Sequence, residues 1–320
     1  MAAAEQGRFG RQALTRTTAV VAILAVGSYS GPLHWAGDLI ALINDTLLWV
    51  GVLLLVIGIW QRLWRWSAVA LLVVLICGYQ LQNYASIPPP APGERDLRIV
   101  VYNLYYQNQT IEQAVAEVKR HNPDLIFLME YSFDIQAQIE DDFAEYPYRL
   151  IQPSRFTMGL AVFSRFPLTS TTIHRAEATR IPIFEVQVDV AGQPLKLVGG
   201  HPWAPQPQWA QLHRDQMAEI TRVAVQARQS SPIPLIVVGD FNATPWSYTV
   251  QQLAEQAEVR HIRRAFDLRK TWYLFPLAGL PIDHVLVSPT LQVIEQQYGD
   301  PAGSDHLPIV VDLRLPQPNA

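Results

Sequence analysis

The chain has 320 residues, of which 49% are hydrophobic and only 16% charged, and its formal net charge is −4. Residues 1–93 hold five Arg against three acidic side chains, which leaves the remainder at −6. That balance is a poor footprint for tight duplex binding, which needs a basic face to displace counterions. The single Cys77 excludes a disulfide framework and a Cys-based metal site.

In chain order, three apolar stretches come first: about Thr17 to Trp35, about Thr46 to Trp60 and about Ser67 to Tyr84. Trp35, Trp49, Trp60, Trp64 and Trp66 gather near their ends, as amphipathic rings do at headgroup level. A cleaved signal peptide accounts less well for the first stretch, because two more come after it and no clean cleavage context is present. The reading is three transmembrane helices within residues 1–86. Arg8, Arg11 and Arg16 precede the first, and Arg62 and Arg65 sit between the second and third, whereas the other loop carries Asp38 and Asp45. By the positive-inside rule the N-terminus is cytoplasmic, and three crossings place the chain beyond Tyr84 on the extracytoplasmic side, the periplasm in a bacterium. Residues 87–96, opening Ile-Pro-Pro-Pro-Ala-Pro-Gly, read as a stiff linker.

Residues 97–320 read as a catalytic domain of alternating strands and helices. Leu97 to Asn103 is an apolar strand ending on an amide. Ile111 to Arg120 has helical spacing and stops near Asn122-Pro123, and Asp124 to Glu130 is a second strand closed by a carboxylate. Such a unit brings Asn103 and Glu130 to one sheet edge, a setting that suits a hard cation. Gly159 to Arg165 is a further strand, with Arg165 a candidate phosphate contact, and Ile183 to Val190 alternates as a sheet strand does. Leu195 to His201 ends on a histidine before a Pro-rich loop, and Gln208 to Arg228 is a long helix. Then Pro234 to Val238 runs into Gly239-Asp240-Phe241-Asn242, where Asp240 and Asn242 are spaced to act together. Taken alone, that stretch is read equally well as a strand followed by an Asx-turn. Ile282-Asp283-His284 opens the next strand, and Ser304-Asp305-His306 precedes the last.

Carboxylates and amides together suit Mg²⁺ or Mn²⁺, and histidines beside them suit phosphate oxygens. No zinc signature is present. The residues alone therefore point to metal-assisted hydrolysis of a phosphate ester.

Gly-Asp-Phe-Asn at 239–242 and Gly-Ser-Asp-His-x-Pro at 303–308 make the region from Leu97 to Leu315 resemble the endonuclease/exonuclease/phosphatase, or DNase I-like, superfamily. Asn103, Glu130 and Ile-Asp-His at 282–284 fall in the same order. The resemblance implies an α/β (α+β) four-layer sandwich of two packed mixed β-sheets flanked by helices. It assigns Glu130 as principal metal ligand, with Asn103 and Asp305 close by. Asp240 would orient or deprotonate the attacking water, Asn242 would fix it or hold a phosphate oxygen, and His306 would meet the phosphate with His201 as the second histidine. It also pairs Asp283 with His306, where spacing alone would favour the neighbouring Asp305. Two departures stand out: Tyr102 occupies the place of a common Trp, and His201 is followed by Pro-Trp-Ala-Pro where Leu is usual. The three-helix anchor resembles a bacterial membrane-bound branch of the superfamily.

The expected activity is a membrane-tethered, divalent-metal-dependent phosphodiesterase or phosphatase. Its expected substrate is a phospholipid headgroup or small phosphodiester, and its N-terminal helices meet the bilayer. A nuclease is the alternative, revived if Arg260, Arg263, Arg264, Arg269 and Lys270 form a basic patch at the site. A non-catalytic membrane scaffold on the same fold is the third reading, set back by the complete ligand set.

Overall fold

The structure, a computed structural model, describes residues 2–83, 93–177, 179–263, 267–275 and 278–316, with side chains described from Phe9 to Gln82 in the first segment. Tyr84, Arg264 and the linker up to residue 92 lie outside the described residues. Two compact units are present, residues 1–85 with 246–248 and residues 86–245 with 249–320.

The first unit is helical: α1 (Ala2–Gly27), a 3-10 turn (Ser28–Ser30), α2 (Trp35–Ala41), α3 (Asn44–Trp60) and α4 (Trp64–Asn83). Phe9–Ser30 and Trp64–Gln82 are long and apolar enough to cross a membrane. The middle stretch qualifies only if α2 and α3, bent by 60° at a short break, form one span. The first stretch therefore ends before Trp35. Gly31 and Pro32 interrupt it, and the His34 ring caps α2 by accepting from Ala36 N at 3.2 Å. Arg62 lies in the turn after α3, but Arg65 belongs to the first turn of α4.

Large apolar side chains cover the outside of these helices, among them Ile23, Trp49, Leu53, Val56, Leu72 and Leu75. Inside runs a seam of Leu14, Val21, Ala25, Leu47, Leu54, Val73 and Cys77. A Cβ on Gly51 would come to 2.9 Å from Val73, and one on Gly58 to 2.7 Å from Ser67, so these glycines set how closely α3 and α4 approach. Ser28 donates to Gln80 Oε1 at 3.0 Å, which satisfies both inside the bundle. An apolar exterior over an interior that includes polar side chains such as Ser28 and Gln80 reverses the usual soluble pattern.

The second unit is built on two six-stranded mixed sheets. Its strands are β1 (Leu97–Asn103), β2 (Leu125–Met129), β3 (Tyr148–Gln152), β4 (Leu160–Ser164), β5 (Leu168–Arg175), β6 (Pro182–Val190), β7 (Gln193–Gly200), β8 (Leu235–Asp240), β9 (Arg260–His261), β10 (Trp272–Phe275), β11 (Ala278–Leu280), β12 (Asp283–Val287), β13 (Gln292–Tyr298) and β14 (Ile309–Arg314). Its helices are α5 (Ile111–Arg120), α6 (Phe133–Ile139), α7 (Ala210–Gln229) and α8 (Tyr248–Gln256), with a 3-10 turn at Asp141–Phe143. One sheet runs β13-β14-β1-β2-β4-β3, the other β5-β6-β7-β8-β12-β9, and β10-β11 is a separate hairpin. Among the described residues, only β1–β2 and β7–β8 pair in parallel as strands. Each of these pairs is joined by a helix, α5 or α7, as a parallel crossover requires.

Strand alternation sorts the apolar residues into three layers. Leu97, Ile99, Val101, Phe127, Val186, Leu197, Ile236, Val238 and Val285 fill the space between the sheets. Their alternate neighbours Val100, Tyr102, Ile126 and Leu128 meet Ile111, Ala114, Val115 and Val118 of α5. Val198, Leu235 and Val237 meet Met217, Ile220 and Ala224 of α7 on the opposite outer face. The i, i+3, i+4, i+7 spacing on α5 gives that helix its single apolar stripe. The result is the expected four-layer sandwich, helices–sheet–sheet–helices.

Candidate active site

Both parallel pairs end at one place. Asn103 is the last residue of β1, Glu130 follows β2, His201 follows β7, and Asp240 is the last residue of β8. Parity explains their direction: Asn103 continues the inward set 97, 99, 101, and Asp240 continues 236 and 238. The inter-sheet core thus closes at this end with polar groups, and Asn103 Nδ2 of one sheet reaches Asp240 Oδ2 of the other at 3.0 Å. Asp283 enters by register, since β12 runs antiparallel to β8 with Asp283 opposite Asp240. At Gly239 a side chain would collide with the Gly200 carbonyl, which is why a glycine precedes the Asp.

Asp240 serves two purposes. Its Oδ1 accepts from the backbone N–H of Asn242 at 2.9 Å, an Asx-turn that holds Asn242 at φ 49°, while Oδ2 faces the site. The strand reading and the turn reading of this stretch are both correct. Oδ2 lies 3.3 Å from His201 Nε2 and 3.6 Å from His306 Nε2. Burial pushes the Asp240 carboxyl up, but the charge of His306 and the hydrogen bond from His201 outweigh it and hold it well below the usual carboxylate range.

His306 Nδ1 donates to Asp283 Oδ2 at 2.8 Å, whereas Asp305 Oδ1 is 3.9 Å from Nε2, so the longer-range pairing prevails over the sequence neighbour. Burial would lower the His306 pKa, but the carboxylates of Asp283 and Asp240 raise it to about 10. His201 directs Nδ1 to the Thr157 carbonyl at 3.1 Å. Burial lowers its pKa as well, and Asp240 more than offsets this, for a net rise. Asn242 Nδ2 donates to Pro202 O at 3.0 Å and lies 3.3 Å from His201 Nε2.

Glu130 adopts φ 55°, which turns its carboxylate back toward β1. Oε1 accepts from Asn103 Nδ2 at 3.2 Å and Oε2 from the Tyr106 backbone N–H at 2.8 Å. Burial raises its pKa, and these neutral donors and the more distant histidines only partly offset that. Asp305 Oδ2 accepts from the Trp272 indole at 2.8 Å, while Oδ1 is buried with no hydrogen-bond donor among the described residues.

Two carboxylate groups, one raised by burial and one with a bare oxygen, fit a bound divalent cation. Asp240, Asp283 and His306 also come within 4.8 Å of one another and could hold an ion. Asp283 there has a raised carboxyl and a bare Oδ1 as well, but Asp240 already faces both His201 and His306, and His306 Nδ1 is taken by Asp283.

Several supporting residues had no distinct sequence signal. Tyr106 acts through its backbone N–H, and Trp272 reaches Asp305 from 33 positions away. Thr271 Oγ1 accepts from the N–H groups of Ile282 and Asp283 at 3.1 and 3.0 Å. Ser304 donates to Asn103 O and accepts from His306 N, which fixes the last turn.

Arg165, by contrast, is not at the site. β4 runs antiparallel to β2, with Ser164 beside Leu125, so Arg165 emerges at the far end, over the Tyr146 ring and 3.9 Å from Asp124. Of the expected basic patch, Arg260, Arg263, Arg269 and Lys270 do not line the cavity, and Arg264 lies outside the described residues. Arg263 is buried and donates to the carbonyls of Asp267 and Arg269, Arg269 pairs with Asp267, and Arg260 contacts the carbonyls of Pro289 and Leu291.

Above this polar floor lies an open cavity of about 370 Å³. Glu130, His201, Asp240, Asn242, Asp305 and His306 form its base, and Tyr105, Tyr106, Trp203, Trp209 and Trp272 contribute its walls.

The sequence matches the profile described as Endonuclease/Exonuclease/phosphatase family over residues 100–306. No curated protein matches it significantly. Among solved structures it is similar to the human Nocturnin catalytic domain with bound sulfate anion, at 19% identity and TM-score 0.56, covering 69% of this chain and 96% of that one. It is also similar to D. rerio TDP2 complexed with single strand DNA product, at 16% identity and TM-score 0.58, covering 68% and 98%. An endonuclease/exonuclease/phosphatase from Beutenbergia cavernae DSM 12333 matches at 18% identity and TM-score 0.55, covering 70% and 72%. At these identities the structural likeness establishes the fold.

Proposed function

The chain belongs to the endonuclease/exonuclease/phosphatase family, whose members hydrolyse phosphoesters, and on that premise we propose that it is a membrane-tethered, divalent-metal-dependent phosphodiesterase or phosphatase. The observation that carries the reading is the meeting of Asn103 and Glu130 from one sheet with Asp240, clamped by two histidines, from the other. Glu130, Asn103 and Asp305 would hold Mg²⁺ or Mn²⁺. When bound, that ion supplies positive charge to a phosphate oxygen.

The remaining work falls to the chain's own side chains. Asp240 orients a water and takes its proton as the water oxygen bonds to phosphorus. Asn242 fixes that water. His306, protonated and aligned by Asp283, directs Nε2–H at the phosphate, where it stabilises charge as the bond to the leaving oxygen breaks. His201 holds Asp240 in its charged form and faces the same phosphate.

Residues 1–86 form the anchor, 87–96 the linker and 97–320 the catalytic domain in this reading. The Arg distribution supports a cytoplasmic N-terminus and, with three crossings, an extracytoplasmic catalytic domain in the cell membrane. A periplasm-dependent reporter fused after Pro92 is expected to be active, and an inactive fusion contradicts this topology. Phospholipid headgroups or small phosphodiesters are the favoured substrates, because among the described residues no Lys or Arg lines the cavity. A nuclease is the second reading, favoured by the likeness to TDP2 complexed with single strand DNA product.

Detergent-purified protein with Mg²⁺, Mn²⁺ or EDTA is to be assayed on bis-p-nitrophenyl phosphate, phospholipid vesicles and plasmid DNA, with Asp240→Asn as control. Metal-dependent turnover of the first two is expected. Efficient DNA cleavage lost in the variant establishes the nuclease, and no turnover on any substrate overturns the enzymatic reading.

A further inference from the structure

The loop between β7 and α7, residues 201–209, has no regular structure, yet its backbone is held at several points. Asn242 donates to Pro202 O at 3.0 Å. The Trp203 N–H donates to Gln216 Oε1 at 2.8 Å, and Trp203 O accepts from His213 Nδ1 at 2.9 Å. His213 and Gln216 are both buried on α7, and Gln216 Nε2 is itself fixed on Thr179 Oγ1 at 2.9 Å. Two buried polar side chains are thus committed to both backbone groups of one residue. Pro202, Pro205 and Pro207 stiffen the remainder of the loop.

What this scaffold presents is aromatic. Trp203 meets Trp209 edge-on, with centroids 5.6 Å apart at 85°, and Trp209 stays 43% exposed. Both line the cavity, with Tyr105 and Tyr106 elsewhere on its wall. Among the described residues no Lys or Arg lines it, and its charged floor contains Glu130, Asp240 and Asp305. With a first phosphate taken by His201 and His306, a second phosphate would find no Lys or Arg among the described lining residues to balance it. An uncharged ring would instead gain stacking and lose little solvation.

We propose that Trp203, positioned by His213 and Gln216, is a specificity-determining residue that selects phosphoesters whose organic part is an uncharged ring and disfavours those with a second phosphate nearby. The proposal rests on the phosphate site at Asp240, His201 and His306 and names the chemistry of the group beyond it. Trp209 completes the wall. Burial lowers the His213 pKa to about 4, so at neutral pH its ring is uncharged and Nδ1–H donates to the Trp203 carbonyl without placing a cation beside the cavity.

Binding can be read without turnover. The full chain in nanodiscs with Mg²⁺ is titrated calorimetrically with methylphosphonate, phenylphosphonate and benzene-1,4-diphosphonate. Phenylphosphonate is expected to bind about tenfold tighter than methylphosphonate, as ring burial and stacking predict. Benzene-1,4-diphosphonate is expected to lose that gain. Trp203→Ala should erase the ring preference and leave methylphosphonate affinity unchanged. His213→Ala should weaken the preference, and His213→Asn, which restores a donor, should recover part of it. A ring preference that is absent, or that survives Trp203→Ala, overturns the proposal while methylphosphonate binding preserves the phosphate site. Tighter binding of the diphosphonate also overturns it. Failure of all three ligands to bind overturns the phosphate site and the proposal together.

Discussion

Glu130 and Asp240 hold equivalent places, each at the carboxyl end of the second strand of a parallel pair, and both are buried. Their surroundings differ. Asp240 sits 3.3 Å from His201 and 3.6 Å from His306, and its pKa falls. Glu130 has only the Asn103 amide and the Tyr106 N–H as direct donors among the described residues, and its pKa rises. One strand pair therefore carries its own counter-charge and the other lacks it. We accordingly propose the cation beside Glu130, where no direct charged partner compensates the carboxylate among the described residues, with the bare Oδ1 of Asp305 facing the same cavity.

If Asp240 works in the reaction and Glu130 works through a cation, substitutions must separate the two. Asp240→Asn should lower kcat by roughly 10³-fold, the scale of losing a positioned proton acceptor, with divalent-ion affinity close to wild type. Loss of ion binding in that variant would break the distinction. Glu130→Gln should cost ion affinity on the order of 100-fold or more, with activity partly restored by excess Mn²⁺. Trp272→Phe removes the N–H that orients Asp305 and keeps the ring, so about a tenfold loss of ion affinity is expected in titrations.

Glu117 on α5 provides the smallest and sharpest control. It is a buried carboxylate in the same half as Glu130, but it contacts Arg120 at 2.7 Å, His121 at 2.9 Å and the Asp300 N–H at 2.9 Å. Burial pushes its pKa up, and these partners bring it below 4.5. A carboxyl lowered by folding stabilises the fold above its unfolded pKa, and that contribution fades as pH falls through the folded value. Denaturation curves of wild type should therefore lose stability faster than Glu117→Gln as pH drops below 4.5. Parallel curves would mean that its partners supply no compensation.

Much of this site was legible because strand periodicity is simple. An apolar strand ending on a polar residue of inward parity, as at Asn103 and Asp240, states which face that residue joins. The order of Asn103, Glu130, Asp240, Asp283 and His306 then supplied the family. Contacts set by tertiary geometry were not legible: the Trp272 indole on Asp305, the Tyr106 N–H on Glu130, and the clamp of His213 and Gln216 on Trp203. Arg165 shows the opposite error. It ends an apolar strand just as Asn103 does, but β4 runs antiparallel to β2, and strand direction cannot be read from one strand's sequence. Similarly, hydropathy counted three apolar stretches, while the helix break between α2 and α3 depends on how the chain bends at Leu42 and Ile43.

The most direct test is a Mn²⁺ titration followed by electron paramagnetic resonance on wild type, Glu130→Gln and His306→Gln. Tight binding that is lost in Glu130→Gln and kept in His306→Gln is the predicted result. Binding kept in Glu130→Gln and lost in His306→Gln would place the ion among Asp240, Asp283 and His306, and would contradict the account of two oppositely compensated carboxylates.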